Sequence, residues 1–174
     1  MSDDRAPGSA SAAGRDADPD DDAAAVARLA ASRGWTVATA ESLTSGAVAS
    51  ILGAAPKASE WFRGAVVAYA SEVKFDLLDV PRGPVVSRAA AVAMAQGARR
   101  RLGAQLAVGT TGAGGPDPQD GRPPGTVCLA AVWPGGHHAE EHHLDGDDPA
   151  AVVRFTTDRA VALLREVLED PAVG

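Results

Sequence analysis

Three short segments carry residue types that together could support nucleophilic catalysis. The first is Glu41-Ser42-Leu43-Thr44-Ser45-Gly46. A serine hydroxyl is a weak nucleophile until a base takes its proton. At the end of a strand and the start of a helix, Ser42 would have the next N–H groups beside it to hold an oxyanion. Ser42 or Thr44 could equally do no more than cap that helix. The turn lacks the G-x-S-x-G elbow, so it does not indicate an α/β-hydrolase.

The second segment is Tyr69-Ala70-Ser71-Glu72-Val73-Lys74, with the chain's only tyrosine and one of its two lysines. A lysine whose pKa is lowered by burial can serve as a base. A nearby tyrosine could relay a proton or orient the amine. The plain alternative is a surface lysine beside a half-buried ring. Among many arginines a lysine is informative, because arginine does not readily become a neutral base. The third segment is Thr110-Thr111-Gly112-Ala113-Gly114-Gly115-Pro116. Glycines after a strand let backbone approach a ligand, and successive N–H groups can form an anion nest. The order fits neither a phosphate loop nor a dinucleotide fingerprint, and a simple turn remains the alternative.

Other candidates are weaker. His137, His138, His142 and His143 form two pairs on one expected strand, which alternation divides between its faces. They read as an exposed polar strand, and no metal is expected. Cys128 reads as core, and a single cysteine excludes an internal disulfide framework.

The elements that must position these residues follow from periodicity and punctuation. Helices are expected over 23–33, 47–52, 71–78, 88–102 and 149–168, with Ser71 and Ser87 as caps and Gly34 and Gly103 as stops. Strands are expected over 35–40, 64–69, 105–110, 126–132 and 137–144, the last two as a hairpin about Pro134-Gly135-Gly136. This alternation predicts one α/β domain, an α/β/α three-layer sandwich with a mixed, mostly parallel sheet, over about 23–170.

The 174 residues suit one domain, and the formal charge is -7. That charge is uneven: residues 1–22 hold seven aspartates against Arg5 and Arg15, which leaves the remainder at -2. With almost no large apolar side chain, 1–22 reads as a disordered acidic leader. No basic run exceeds Arg99-Arg100-Arg101, so no nucleic-acid partner is expected. No apolar stretch suits a signal peptide or membrane span, which predicts a soluble cytoplasmic protein. Abundant Ala, Gly and Arg point to GC-rich bacterial coding.

In order and spacing the segments resemble the C-terminal domain of the CinA family, the nicotinamide-nucleotide amidohydrolases. The matching residues are Ala38–Gly46, Phe62–Lys74, Val86-Ser87, Thr110–Pro116 and Pro124–Val127. The resemblance covers roughly 23–168 and lacks the large N-terminal domain of full-length members. It implies hydrolysis of nicotinamide mononucleotide to nicotinic acid mononucleotide and ammonia, in pyridine-nucleotide recycling and without a cofactor. It implies Ser42 as nucleophile, Lys74 as general base and Tyr69 as an assisting group. Thr44, Ser45, Gly46, Thr111, Gly112, Gly114 and Arg154 would contact the substrate. Homo-oligomers are common in the family, and one is expected here.

The chain departs from the family at several positions. The usual turn is Glu-Ser-Cys-Thr-Gly-Gly, where this chain has Leu43 and Ser45. The glycine loop usually reads Ala-Gly-Pro, against Gly114-Gly115-Pro116. A usual Gly-Asp-Arg before the last helix is Gly146-Asp147-Asp148, and Asp148 would repel a phosphate. Arg154 matches a further family arginine only with a longer spacing. These changes keep open a second reading, a non-catalytic nucleotide-binding or regulatory module of the same fold.

Overall fold

The structure, a computed structural model, describes residues 19–145 and 148–173. The chain runs α1 (Pro19–Arg33), β1 (Val37–Glu41), α2 (Ala47–Ala54), α3 (Ala58–Trp61), β2 (Phe62–Val67), α4 (Ser71–Leu78), α5 (Arg88–Leu102), β3 (Leu106–Gly112), β4 (Thr126–Trp133), β5 (Gly136–His143) and α6 (Pro149–Glu169). Local chemistry explains the best-defined boundaries. At the start of α5, Ser87 Oγ accepts from the Ala90 N–H at 3.1 Å, and at its end Gly103 takes a left-handed φ of 64°. Helix α1 starts four residues before the expected Ala23. Proline suits a first helical position, and Asp20, Asp21 and Asp22 complement the helix dipole there. Asp22 is itself buried and pairs with Arg165 of α6 at 2.8 Å, so 19–22 belong to the folded body. The rest of the expected leader, 1–18, lies outside the described residues.

The five strands form one sheet in the order β2-β1-β3-β4-β5. β1 is parallel to both β2 and β3, while β4 and β5 continue the sheet antiparallel. Helices α1, α2 and α6 cover one face, where Val26, Leu52, Val108, Leu129 and Leu164 share the main core. Helices α4 and α5 cover the other, with Leu78 and Met94 packed on Ala40. Helix α5 lies very close to the sheet: a Cβ on Gly109 would run into the backbone at Ala91 and Ala95. This is the expected three-layer α/β/α sandwich, with its parallel part at β2-β1-β3.

Some expectations shift. β1 reaches Glu41 and β3 reaches Gly112, past the expected ends at Ala40 and Thr110. Ser71 is the first residue of α4 and not its cap: the preceding Ala70 is the N-cap and makes no side-chain hydrogen bond. The one-turn α3 was not expected, since four residues carry too little periodicity to register. On β5, Glu140 accepts from Arg159 of α6 and His142 meets the Phe155 ring, which sets the even-numbered face against α6. Cys128 is buried in the sheet, and desolvation pushes its thiol up to about 11. Among the described residues no helix is long and apolar enough to cross a membrane.

Candidate functional site

The connection from β1 to β2 carries α2 on one face, and the return from β2 to β3 carries α5 on the other. Sheets of this kind open a crevice where such connections diverge, beyond the carboxyl ends of the strands. Here that place lies between the ends of β1 and β3. Ser42 is the first residue past β1 and donates its N–H to the Thr110 carbonyl at 3.1 Å. Its side chain is held in the crevice at 8 % exposure.

The turn carrying Ser42 is built on Glu41. This residue is fully buried, yet its carboxylate accepts five hydrogen bonds. The Thr39 and Thr44 hydroxyls donate at 3.1 and 2.8 Å, and the Gly46, Val48 and Ala49 N–H groups at 2.9, 3.2 and 2.8 Å. The last three are the otherwise orphaned donors that open α2. Glu41 therefore caps that helix, where Ser42 or Thr44 had been the expected candidates. It also uses the amides expected to face an oxyanion. Among the described residues, the Leu43 and Thr44 N–H groups remain uncommitted. Ser45 and Gly46 both adopt left-handed backbone, with φ of 50° and 97°. Ser45 thus holds a conformation that costs a residue with a Cβ.

Lys74 is 1 % exposed, on the inner face of α4. Its amine donates to the Tyr69 carbonyl at 2.9 Å, and no hydrogen bond joins it to Ser42 Oγ among the described residues. Burial pulls the Lys74 pKa below its ordinary value, while the charges of Asp120 and Glu72 oppose that shift. Tyr69 orients the amine through its main chain, leaving its ring 71 % exposed at the crevice mouth. Asp120 comes from the glycine- and proline-rich loop. Its carboxylate accepts the Val85 and Val86 N–H groups at 2.5 and 3.0 Å. It stands in a tight turn with Gly121, both at positive φ, flanked by reciprocal hydrogen bonds between Gln119 and Arg122.

Ser42 opens into a cavity of about 330 Å³. Leu43 and Tyr69 line it from one side, Gly112, Gly114 and Gly115 from the end of β3. Asp117, Pro118 and Gln119 of the loop and Pro149 and Val153 of α6 complete the wall. Of the residues expected at the substrate, Gly112 and Gly114 lie on this wall. The others are placed elsewhere. Thr44 is buried, bonded to Glu41 and to the Thr110 hydroxyl at 2.9 Å. Thr111 turns to the opposite face and donates to the Val85 carbonyl at 2.8 Å. The Gly46 amide is held by Glu41, and Ser45 Oγ is 3.5 Å from the Ser42 carbonyl. Arg154 is exposed and pairs with Asp148 at 3.3 Å. Asp148 caps α6 through the Ala150 N–H at 2.9 Å, and the backbone N–H groups at Ala151 and Ala150, then Arg154, hold its carboxyl below the usual range.

Sequence reasoning missed Glu41 as a scaffold, Thr110 as its extension, Asp117, Pro149 and Val153 around the cavity, and Asp120 as a charge acting on Lys74. Asp120-Gly121 carried a usable signal, since Asp-Gly is a preferred pair for a tight turn with two positive φ values. Glu41 carried none, because caps are sought immediately before a helix and this one begins six residues later at Ala47. No group of three His, Cys, Asp or Glu side chains among the described residues is placed to hold a metal ion.

Residues 20–168 match the CinA C-terminal domain family. A CinA-like protein of Synechococcus is 44% identical over 156 residues, covering 86% of this chain and 37% of its own length. Another from Frankia casuarinae is 40% identical over 145 residues, covering 80% and 33%. The chain thus spans about a third of the length of these curated relatives. A crystal structure of a CinA superfamily protein from Klebsiella pneumoniae superposes with a TM-score of 0.81 at 32% identity, covering 87% of this chain and 98% of that one. The competence/damage inducible protein CihA of Agrobacterium tumefaciens gives 0.82 at 28% identity, covering 88% and 97%. The match spans both sheet faces and every segment of the crevice, and on it the chain belongs to the CinA C-terminal domain family.

Proposed function

We propose that this chain is a serine amidohydrolase that deamidates nicotinamide mononucleotide, with Lys74 as base. The supporting observation is a crevice serine together with a wholly buried lysine, held on the main chain of the cavity residue Tyr69, whose pKa is lowered by desolvation. A neutral amine can keep an N–H on the Tyr69 carbonyl and still offer its lone pair to a proton. In this reading Ser42 Oγ attacks the carboxamide carbon as its proton passes to Lys74 Nζ. The oxyanion falls to the free Leu43 and Thr44 amides. The C–N bond then breaks, and the Lys74 ammonium protonates the departing nitrogen to give ammonia. Water hydrolyses the resulting ester on Ser42, with Lys74 again the base, and releases the acid.

The phosphate falls to the Gly114 and Gly115 amides, since neither Arg nor Lys lines the cavity among the described residues. The reading expects a cytoplasmic homo-oligomer. The test is ammonia release from nicotinamide mononucleotide by purified protein and by Ser42→Ala. Release by the first and at least a hundredfold less by the second is expected. The Lys74–Tyr69 hydrogen bond, made in place of one to Ser42, favours the second reading, a nucleotide-binding module. Calorimetric binding of the mononucleotide with no ammonia from wild type would establish that module and overturn the enzyme.

A further inference from the structure

The cavity wall holds one charged side chain among the described residues, the carboxylate of Asp117. Several other surface carboxylates are matched: Asp76 by Arg82, Asp79 by Arg100 and Arg101, Asp148 by Arg154. No ion pair or hydrogen bond engages Asp117 among the described residues. The same cavity is lined by Tyr69, the most exposed large apolar side chain of those residues. An electron-rich ring face attracts cations, and a carboxylate attracts them from a second direction. A nicotinamide ring joined to ribose through N1 is a quaternary pyridinium, positive at every pH, whereas free nicotinamide is neutral near pH 7. With the carboxamide at Ser42 on the cavity floor, the N1 side of the ring is turned to the mouth, where Tyr69 and Asp117 are exposed.

We propose that Asp117 and the Tyr69 ring form a subsite for the positive charge of an N1-substituted pyridinium, so that the cavity selects cationic pyridine carboxamides over neutral ones. This rests on the amidohydrolase reading for where the carboxamide sits. It adds a basis for specificity that the nucleophile and its base do not supply. It also separates the two charges of the substrate, the pyridinium at Asp117 and the phosphate at the glycine amides.

The experiment is calorimetric titration of the protein with 1-methylnicotinamide, which has the ring cation without ribose or phosphate, and with nicotinamide. Wild type is expected to bind the cation about five- to tenfold more tightly, less so at high salt. Asp117→Asn should abolish most of that preference and its salt dependence while leaving nicotinamide affinity unchanged. Tyr69→Phe should keep the preference and Tyr69→Leu should weaken it, with the Lys74 hydrogen bond intact in both because it uses the main chain. Equal binding of the two compounds by wild type would overturn the proposal, as would an Asp117→Asn preference equal to wild type. These outcomes are independent of turnover. Cation selectivity without ammonia would defeat the enzyme reading alone, and ammonia release without selectivity would defeat this subsite alone.

Discussion

Two carboxylates open the two helices that border the crevice, and they do so under opposite conditions. Glu41 is fully buried with no ion pair among the described residues, and it reaches across the five-residue turn 42–46 to gather the α2 amides and two threonine hydroxyls. Asp148 is exposed, caps α6 from the adjacent position and is met by Arg154. Helix N-termini are ready anion sites, and here the protein's own side chains already occupy both. The buried cap fixes the geometry of the Ser42 turn, while the exposed cap only starts a helix. An external anion must therefore be held by other groups, and the loop after β3 supplies uncommitted amides.

Glu41→Gln breaks the comparison most severely. An amide NH₂ would face an N–H donor, and the charged acceptor is lost inside the protein. A loss of about 2–3 kcal/mol in urea unfolding is expected, with ammonia release down by about a hundredfold as the Ser42 turn loosens. Stability and activity both unchanged would mean that the turn does not depend on this carboxylate.

A third carboxylate sharpens the contrast, because Asp120 acts on its neighbours rather than on a helix end. Asp120→Asn removes a charge that favours the Lys74 ammonium, so the Lys74 pKa should fall further. In the amidohydrolase reading the base is the neutral amine, so the acidic limb of the pH–rate profile should move to lower pH. The linkage has a definite sign. Lys74 binds a proton more readily unfolded than folded, so its burial destabilises the fold at low pH. That cost is relieved as pH rises from the lowered pKa toward 10.5. Asp120→Asn should lower the start of that window, a shift readable in unfolding curves measured as a function of pH below 10.5. A limb moving to higher pH would contradict the placement of Asp120.

Ser45→Gly tests how tightly Glu41 constrains the turn. Ser45 keeps a left-handed φ in a turn held at both ends by the Glu41 carboxylate, so glycine should relieve strain and raise stability by about 1 kcal/mol. A loss of stability would place the strain elsewhere. Asp148→Ala should have the smallest effect, lowering Tm by about 2 °C and changing the KM for a phosphorylated substrate less than about twofold. A large fall in KM would show that Asp148 does oppose the phosphate.

The same pair shows what could be read from the chain alone. Asp148 stands where helix rules look for a cap, and Ser87 and Gly103 bracket α5 as those rules require. The catalytic candidates Ser42 and Tyr69 and the cavity glycines were legible because each sits at a strand end, where composition changes abruptly. Lys74 was legible as a retained lysine, but its burial depended on how α4 packs. Glu41 was not legible, because its partners are set by the path of the intervening turn. Thr110 and Thr111 were ambiguous for a related reason. Alternation says that neighbours face opposite sides, and only packing says which faces the Ser42 turn. Thr110 meets Thr44 there, while Thr111 is taken by the Val85 carbonyl. The start of α1 was misplaced because an Asp-rich, Pro-initiated turn reads as solvated until Asp22 finds Arg165 across the fold.

The central claim is that Ser42 forms a covalent ester during turnover. Rapid acid quench of protein mixed with nicotinamide mononucleotide, followed by peptide mass spectrometry, tests it directly. An adduct on the Ser42 peptide equal to the substrate less ammonia is expected, absent from Ser42→Ala. Steady ammonia release with no such adduct, and with Ser42→Ala still active, would contradict it.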